Sequence, residues 1–318
     1  MSPVGVTLII VSSPVIVASE LVKRYGEVTA VDGISFEVAP GESFGLLGPN
    51  GAGKSTTMRM VGAVSTRTSG RLTILGLDPD HDGPEIRAQL GVVPQADNLD
   101  EELRVRENLM VYGRYFGLPM SYVRRKADDL LAFAQLQDKA KSKVTDLSGG
   151  MKRRLTIARG LMNDPRILLL DEPTTGLDPQ ARHILWDRLF RLKEQGTTLV
   201  LTTHYMDEAE QLCDRLIVVD KGVIMAEGTP ASLIREYSTR EVLELRFGAD
   251  RNAEMAESLS GSGDRVEALP DRVLVYTADG EGELARLTEA GIRPLTSLVR
   301  RSSLEDVFLR LTGRSLIE

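Results

Sequence analysis

A glycine-rich loop between an apolar strand and a helix constrains the fold of this chain more than any other feature. Residues 43–47 have the composition of a buried strand, and residues 48–55 read Gly-Pro-Asn-Gly-Ala-Gly-Lys-Ser. This matches the pattern G-x-x-x-x-G-K-S/T, in which backbone N–H groups surround a phosphate and the next helix directs its positive end at the same anion. The loop predicts a nucleotide-binding α/β fold, and the flanking elements argue against a chance match.

The loop supplies side chains as well as backbone groups. Lys54 offers a point charge to the β- and γ-phosphates, and the Ser55 hydroxyl is a candidate ligand for Mg²⁺. The residues expected to surround the phosphates are Gly48, Pro49, Asn50, Gly51, Ala52, Gly53, Lys54, Ser55 and Thr56.

An acidic pair follows a second apolar strand. Residues 167–170 read Ile-Leu-Leu-Leu and lead into Asp171 and Glu172. Doubly wound sheets place their ligand site at the carboxyl ends of strands. Asp171 is therefore expected to hold Mg²⁺ through water, and Glu172 to polarise the attacking water as a general base. The alternative is an ordinary acidic strand end.

A Ser148-Gly149-Gly150 turn opens a helix between these two motifs. A hydroxyl, free N–H groups and the helix dipole together form a second anion site. Since the first loop already holds the phosphates of its own chain, this second site makes sense if it serves the ATP of another copy. The alternative is a helix start that Ser148 merely caps.

Four further residues are weak on their own, and each has an ordinary explanation. A glutamine at a strand end is commonly a surface residue, and an aspartate before a proline is commonly a turn residue. A histidine after a strand is commonly a core residue, and a tyrosine before a glycine commonly a packing residue. Their order along the chain makes them site candidates: Gln95, Asp178, His204 and Tyr25.

Charge and composition narrow the function classes. The formal net charge is −7, so the chain has no basic footprint for nucleic acid. Local basic clusters at 124–126 and 152–154 are typical of solvated helix faces.

Cys213, the single cysteine, is expected to be a small buried apolar residue. The apolar run at 4–17 is too short for a bilayer and contains Pro14.

Strand and helix patterns divide the chain into three parts. Residues 1–14 are expected to be a leader, 15–238 an α/β domain with a helical insertion at about 97–162, and 239–318 a second domain. Asp32-Gly33 predicts a turn between strands at 28–31 and 34–38. The order β-α-β-β-α-β-α in the last part predicts a small split βαβ domain.

Together these motifs resemble the ATPase domain of ATP-binding cassette (ABC) proteins over roughly residues 15–235. The resemblance implies an α/β P-loop NTPase fold, an ABC ATPase domain with a helical subdomain, followed by a small C-terminal α+β domain. It implies that Tyr25 stacks on adenine, that Gln95 senses Mg²⁺ and links to a membrane partner, and that His204 contacts the γ-phosphate. It also implies that residues 148–150 reach the opposite γ-phosphate and that Asp178 lies in a dimer-contact loop. Lys54, Gln95, Glu172 and His204 form the implied catalytic set.

A narrower resemblance concerns the signature turn. Met151 stands where the common signature has Gln, and the run Leu-Ser-Gly-Gly-Met-Lys-Arg-Arg-Leu at 147–155 is similar to ATPases of ABC-2 type exporters. The segment 303–309 resembles the tail of daunorubicin-type drug-resistance ATPases, and other runs resemble nodulation-factor exporters. This implies an ATP- and Mg²⁺-dependent homodimer at the cytoplasmic face of the membrane. It would power export of a drug, lipid or glycolipid-like substrate through separate transmembrane subunits.

Three alternatives stay open at this point. The cassette alone separates exporters poorly from importers. A soluble ABC protein acting on nucleic acid or the ribosome is disfavoured by the single cassette, the short helical insertion and the acidic balance, so no nucleic-acid partner is expected. A P-loop kinase or GTPase would lack the signature turn.

Overall fold

The computed structural model describes residues 13–248 and 251–313, where strands and helices alternate as the sequence predicts. The leader expected at 1–14 lies almost wholly outside these ranges. Packing divides the chain into two compact units, the first ending at Met225 and the second beginning at Ala226. Among the described residues, no helix has the length and apolarity needed to cross a bilayer.

From residue 13 onwards the first unit contains eight whole strands, and a ninth crosses into the second unit. The strands are β1 (Ile16–Tyr25), β2 (Val28–Val38), β3 (Ser43–Leu47), β4 (Ser69–Ile74), β5 (Leu90–Val93), β6 (Ile167–Asp171), β7 (Thr198–Thr203), β8 (Arg215–Asp220) and β9 (Val223–Gly228). The α-helices of this unit are α1 (Lys54–Val61), α2 (Gly83–Ala88), α3 (Val105–Tyr115), α4 (Met120–Ala134), α5 (Gly149–Gly160), α6 (Pro179–Glu194) and α7 (Met206–Leu212).

A six-stranded sheet positions the chemistry-bearing loops. Its strand order is β5-β6-β7-β3-β8-β9, and the pairs from β5 to β8 are parallel. The strands are apolar on both faces because helices cover the sheet, as expected for a parallel sheet. The carboxyl ends of β3, β6 and β7 are therefore neighbours. The loop after β3, the acids at the end of β6 and the histidine after β7 meet at one edge, as the α/β prediction requires.

A second sheet, in the order β2-β1-β4, is antiparallel. Here the predicted turn at Asp32-Gly33 is wrong, because β2 continues through both residues. Gly33 takes φ +70° inside the strand, and the pairing with β1 shifts register between the pair Leu21–Ile34 and the pair Lys23–Val31. The glycine forms a bulge, since β1 pairs with β2 on both sides of it.

The helical insertion fills the interval between β5 and β6. Helices α3, α4 and α5 pack on one another and bury one apolar face each, with Leu109, Leu130 and Leu155 among the buried residues. Ala158 of α5 and Met162, two residues beyond the end of this helix, are also buried. The limits 97 and 162 of this subdomain stay a prediction.

The second unit is a small α+β domain. Its elements are α8 (Pro230–Tyr237), β10 (Glu241–Arg246), α9 (Asn252–Ser258), β11 (Arg265–Ala268), β12 (Val273–Thr277), α10 (Gly280–Glu289), β13 (Thr296–Arg301) and α11 (Leu304–Thr312). The sheet order is β11-β12-β10-β13, antiparallel throughout. This is the predicted split βαβ arrangement.

Helix α8 explains where the second unit begins. It packs against α11, and Arg310 Nη1 donates a hydrogen bond of 3.0 Å to the carbonyl of Tyr237. The boundary expected at residue 238 falls after this helix, whereas packing assigns the helix to the second unit. On α11, Leu304, Val307 and Phe308 are buried.

Candidate active site

A cavity of about 330 Å³ at the carboxyl edge of the parallel sheet gathers most of the predicted site residues. Its walls come from the end of β1, the glycine loop, the segment after β5 and the end of β6. The lining residues are Tyr25, Ala30, Asn50, Gly51, Ala52, Gly53, Lys54, Ser55, Thr56, Gln95 and Glu172.

The glycine loop lies so close to other backbone segments that side chains are excluded. A Cβ on Gly48 would stand 2.1 Å from the carbonyl oxygen of Val219, and one on Gly53 would stand 2.4 Å from that of Ala30. Gly53 also takes φ +99°, which side chains disfavour. The loop therefore requires glycine at both positions.

Lys54 is fixed inside the loop that it serves. Its Nζ donates hydrogen bonds to the carbonyls of Gly48 (2.7 Å) and Pro49 (3.0 Å), and it lies 3.9 Å from Glu172 Oε1. Burial lowers the pKa of the Lys54 ammonium, and the nearby carboxylates of Glu172 and Asp171 oppose this effect. A positive charge is thus held at the cavity wall.

Asp171 accepts hydrogen bonds from two hydroxyls. Ser55 Oγ donates to its Oδ1 at 3.2 Å, and Thr202 Oγ1 donates to the same oxygen at 2.5 Å. The sequence analysis did not single out Thr202. The parallel pairing of Asp171 with Thr202 on β7 puts it there, and a register of this kind is not readable from one strand alone.

Glu172 stands at a strained point of the backbone. Its φ is +46°, unusual for a residue with a side chain. Its N–H is bonded to Thr202 Oγ1 (3.0 Å) and to the Thr202 carbonyl (3.2 Å), which hold this conformation. Strain that neighbours over-determine in this way is typical of functional sites.

The carboxylate of Glu172 has several polar neighbours. Gln95 Nε2 donates to Oε2 at 3.0 Å, and Thr175 Oγ1 donates to the same oxygen at 3.1 Å. His204 Nδ1 lies 3.3 Å from Oε1 as a close contact without hydrogen-bond geometry. The structure therefore brings Gln95, Glu172 and His204 together, although 77 residues separate the first two.

Tyr25 borders the cavity at the end of β1. Its side chain is exposed, and Lys23 Nζ lies 4.9 Å from the ring centroid. An accessible aromatic face beside a phosphate-type loop suits a flat, aromatic part of a ligand.

The signature turn and Asp178 do not line this cavity. Ser148 caps α5 by accepting a hydrogen bond from Met151 N (3.3 Å), and Asp178 caps α6 by accepting one from Ala181 N (2.8 Å). Both residues are exposed, and a Cβ on Gly149 would meet nothing within 4 Å. A Cβ on Gly150 would stand 3.2 Å from Ala181 Cβ. Two helix N-termini therefore lie side by side on an open surface.

The prediction that residues 152–154 form a solvated face is wrong for Arg153. Its side chain is 4% exposed and donates to main-chain carbonyls beside Gln95 and Glu172. By contrast, Arg124 and Arg125 of the other basic cluster are exposed, and Cys213 is buried, as predicted.

Oxygen ligands near a phosphate loop fit Mg²⁺. The residues that fit are Ser55, Asp171 and the amide oxygen of Gln95, since Mg²⁺ prefers one or two protein oxygens together with substrate phosphates and water. Within the ranges that the structure describes, no group of three or more His, Cys, Asp or Glu side chains forms an all-protein metal cage.

Comparisons with known proteins agree with this geometry. A family model described as ABC transporter matches residues 31–175, and one described as Nodulation factor export protein NodI, C-terminal domain, matches residues 252–313. The Nod factor export ATP-binding protein I of Paraburkholderia xenovorans is 50% identical over 294 residues, covering 92% of this chain and 95% of that protein. The protein of the same name from Rhizobium etli is 50% identical over 300 residues, covering 94% and 93%.

Solved structures extend the likeness to the cassette. A dimeric ATP-binding cassette in a post-hydrolysis state, bound to ADP and Pi, is 29% identical with a TM-score of 0.62, covering 67% of this chain and 98% of that one. An ATP-binding subunit of an ABC transporter is 30% identical with a TM-score of 0.64, covering 70% and 93%.

Proposed function

This chain belongs to the family of ABC transporter ATP-binding proteins that includes the Nod factor export ATP-binding proteins, and we propose how it works as the ATPase subunit of an exporter. Two copies bind two ATP molecules between them, close together, and reopen after hydrolysis. One observation carries this proposal. The cavity unites the glycine loop with Gln95 and Glu172, whereas Ser148 and Asp178 lie outside it on an exposed surface.

The separation of the two anion sites is the reason to invoke a second copy. Phosphates held at Lys54 leave the helix N-terminus at Ser148 without a ligand from the same chain. A second ATP, carried by another copy, satisfies this terminus, because free N–H groups and the helix dipole attract anions. Each nucleotide then lies between the glycine loop of one copy and the turn at 148–150 of the other.

Within each site, the residues have distinct tasks. Tyr25 stacks on the adenine, and the backbone of the glycine loop with Lys54 binds the phosphates. Glu172 takes a proton from the attacking water, and His204, adjacent to that carboxylate, contacts the γ-phosphate. Gln95 orients Glu172 through its amide hydrogen bond. Positioning and electrostatic stabilisation provide most of the catalysis in phosphoryl transfer.

Ser55, Asp171 and Gln95 would hold Mg²⁺ in this site. When bound, the ion neutralises charge on the β- and γ-phosphates. The Thr202 and Ser55 hydroxyls both donate to Oδ1 of Asp171 and so fix the orientation of this carboxylate.

The exported compound belongs to the Nod factor type or is another lipid, glycolipid-like or drug-like molecule. The names of the relatives favour export over import. Separate transmembrane subunits carry and select the cargo, and the chain works beside them at the cytoplasmic face of the membrane.

Replacement of Glu172 by Gln tests the chemistry. The variant keeps the shape of the side chain but not the base, so ATP binding persists while hydrolysis falls by roughly 10²-fold or more. The closed dimer then accumulates in ATP and elutes earlier from a sizing column. Near-normal turnover of this variant would remove Glu172 from the mechanism.

Mixed dimers test the shared site. Ser148→Arg blocks closure over the partner's ATP, whereas Lys54→Ala disables the chain's own loop. In a mixture of the two variants, some dimers carry both defects in one site and keep the other site whole. Activity should return on mixing if one whole site suffices. Full activity of the Ser148→Arg protein alone would contradict the shared site.

A further inference from the structure

One buried side chain ties together the two loops that carry Gln95 and Glu172. The guanidinium of Arg153, on α5, donates to five main-chain carbonyls in these loops. Its bonds are Nε to Pro173 O (2.7 Å), Nη1 to Pro94 O (2.5 Å) and Gln95 O (3.2 Å), and Nη2 to Asp171 O (3.1 Å) and Glu172 O (3.1 Å).

The charge of Arg153 is expensive to bury, so its contacts must compensate. The side chain is 4% exposed, and burial lowers its pKa, whereas Asp97, Glu208 and Asp171 raise it. Asp97 Oδ1 lies 3.5 Å from Nη1. A guanidinium has five N–H donors in a rigid plane, and here all three nitrogens are engaged.

The acceptors lie next to the reacting groups. One bond reaches the carbonyl of Gln95 and another that of Glu172, whose φ of +46° needs support from its surroundings. Thr202 holds the N–H of Glu172, and Arg153 holds its carbonyl. The peptide groups on either side of this strained residue are therefore both fixed.

The helix that carries Arg153 begins at the signature turn. Ser148 caps α5, and Arg153 stands about one and a half turns further along. A helix of this length moves as a rigid rod, so a displacement of the turn displaces the guanidinium, and the guanidinium displaces the loops bonded to it.

We propose that Arg153 is a positioning residue that couples the signature turn of one copy to the Gln95 and Glu172 loops of the same copy. Engagement of the turn by the partner's ATP then aligns Gln95 and Glu172 over the chain's own ATP. This inference rests on the shared-site dimer of the proposed function. Because coupling between binding sites is reciprocal, each nucleotide promotes correct geometry in the opposite site.

Arg154 provides a matched control. It is the next residue of α5, and its Nη1 bonds to the carbonyl of Ala134 (2.8 Å) and to Gln135 Oε1 (3.2 Å) on the far side of the helical subdomain. It carries the same group and is also partly buried, but it contacts neither loop.

The experiment compares Arg153→Gln, Arg153→Lys and Arg154→Gln in full-length protein. Steady-state ATP hydrolysis gives kcat, KM and the Hill coefficient, and a fluorescent ATP analogue gives affinity. For Arg153→Gln we expect kcat to fall roughly 10- to 100-fold, the scale for a misplacement of about 1 Å. Affinity should change less than about threefold, because the glycine loop is untouched. The Hill coefficient should approach one.

Arg153→Lys keeps the charge, and its three donors cannot serve five acceptors. It should fold and show an intermediate kcat with a reduced Hill coefficient, so it decides the matter if Arg153→Gln does not fold. Arg154→Gln should keep the wild-type kcat and Hill coefficient. The coupling role would be overturned if Arg153→Lys, or a folded Arg153→Gln, had the wild-type kcat and Hill coefficient. It would also be overturned if Arg154→Gln lost as much kcat and cooperativity as Arg153→Gln.

The same substitutions in the Glu172→Gln background separate this inference from the proposed function. If Glu172→Gln alone does not dimerise in ATP, the shared-site dimer itself fails. If it dimerises and the added Arg153→Gln leaves the ATP midpoint of dimerisation unchanged, only the coupling role fails. The coupling role requires this midpoint to shift to higher ATP concentration.

Discussion

The side-chain amide of Gln95 donates a hydrogen bond of 3.0 Å to Glu172 Oε2. The segment after β5 thereby reaches the catalytic end of β6 across the cavity. The contact fixes the orientation of the carboxylate that we propose as the base. It also means that any movement of the Gln95 segment is felt directly at Glu172.

Gln95→Glu should therefore impair catalysis more than Gln95→Ala. The Glu side chain keeps the length of Gln but replaces the N–H donor with a carboxylate, which repels the carboxylate of Glu172. We expect kcat to fall by about tenfold or more in Gln95→Glu and by less in Gln95→Ala, which removes the bond without adding charge. Steady-state hydrolysis rates measure both effects. Equal kcat values for the two variants would contradict the role given to the hydrogen bond.

Thr202→Val should raise the Mg²⁺ concentration that hydrolysis requires. The change keeps the shape but deletes the hydroxyl that donates to Asp171 Oδ1 and accepts from Glu172 N. Loss of a partner of this kind costs roughly 10- to 100-fold in metal affinity. Titration of hydrolysis with Mg²⁺ at saturating ATP measures the shift. Thr198→Val is the control, because that hydroxyl, on the same strand, accepts from Gly41 N at 2.9 Å. Equal Mg²⁺ requirements in the two variants would exclude the role of Thr202.

The sequence was sufficient for those parts of the site that depend on short-range rules. The glycine loop, the acids after β6 and the helix start at Ser148 are each encoded within a few residues, and the structure places them at the ends of elements that the sequence predicts. Asp178 was interpreted as a turn or loop residue, and the cap that it forms on α6 was not predicted. Thr202 was missed because its role follows from the register of β7 on β6. Gly33 was misassigned because a turn and a bulge favour the same dipeptide.

Arg153 was misread for a different reason. A basic residue among basic neighbours on a helix predicts a solvated face, and its true partners are main-chain atoms 58 and 20 residues away. Nothing in the local sequence marks a carbonyl as an acceptor for a distant arginine. The burial of this side chain depends on how α5 packs against the ends of two strands.

Glu208→Gln should change how stability depends on pH. Burial raises the pKa of this carboxyl to about 7 from its ordinary 4.5, although Thr203, Thr174 and Trp186 partly oppose the shift. The folded state thus binds the proton more tightly than the unfolded chain. Proton binding by Glu208 stabilises the folded state fully below pH 4.5, and this contribution is lost as the pH rises through about 7. The free energy of unfolding falls over this interval by at most about 1.4 kcal/mol per pH unit.

A neutral glutamine is free of this loss, so the variant should gain stability relative to the wild type as the pH rises from 5 to 8. Urea unfolding at several pH values measures the difference. A difference in the free energy of unfolding that does not vary with pH would show that Glu208 is not protonated in the folded protein.

Removal of the second unit should weaken the dimer and spare nucleotide binding. All residues that line the cavity precede Met225, so a chain ending after β9 should bind ATP with near-normal affinity. In the Glu172→Gln background, its ATP-dependent dimerisation should need more protein than that of the full chain. Sedimentation at several protein concentrations measures this. A truncated chain that dimerises as well as the full one would exclude an accessory role.

The position of the cut matters in that experiment. A chain ending at residue 240 keeps α8 without α11, and Leu233, buried in the full chain, would lose its cover. We expect that version to aggregate, which gives a control for the shorter cut.

The Arg153 contacts also bear on how such a protein diverges. Every acceptor in the two loops is a peptide carbonyl, apart from the longer contact with Asp97. A carbonyl is present whatever side chain the position bears, so the loops can drift in sequence without losing the arginine. Pairwise covariation between aligned positions would pass over this link, because only one partner has an identity to vary. Substitution in the laboratory is the way to find it.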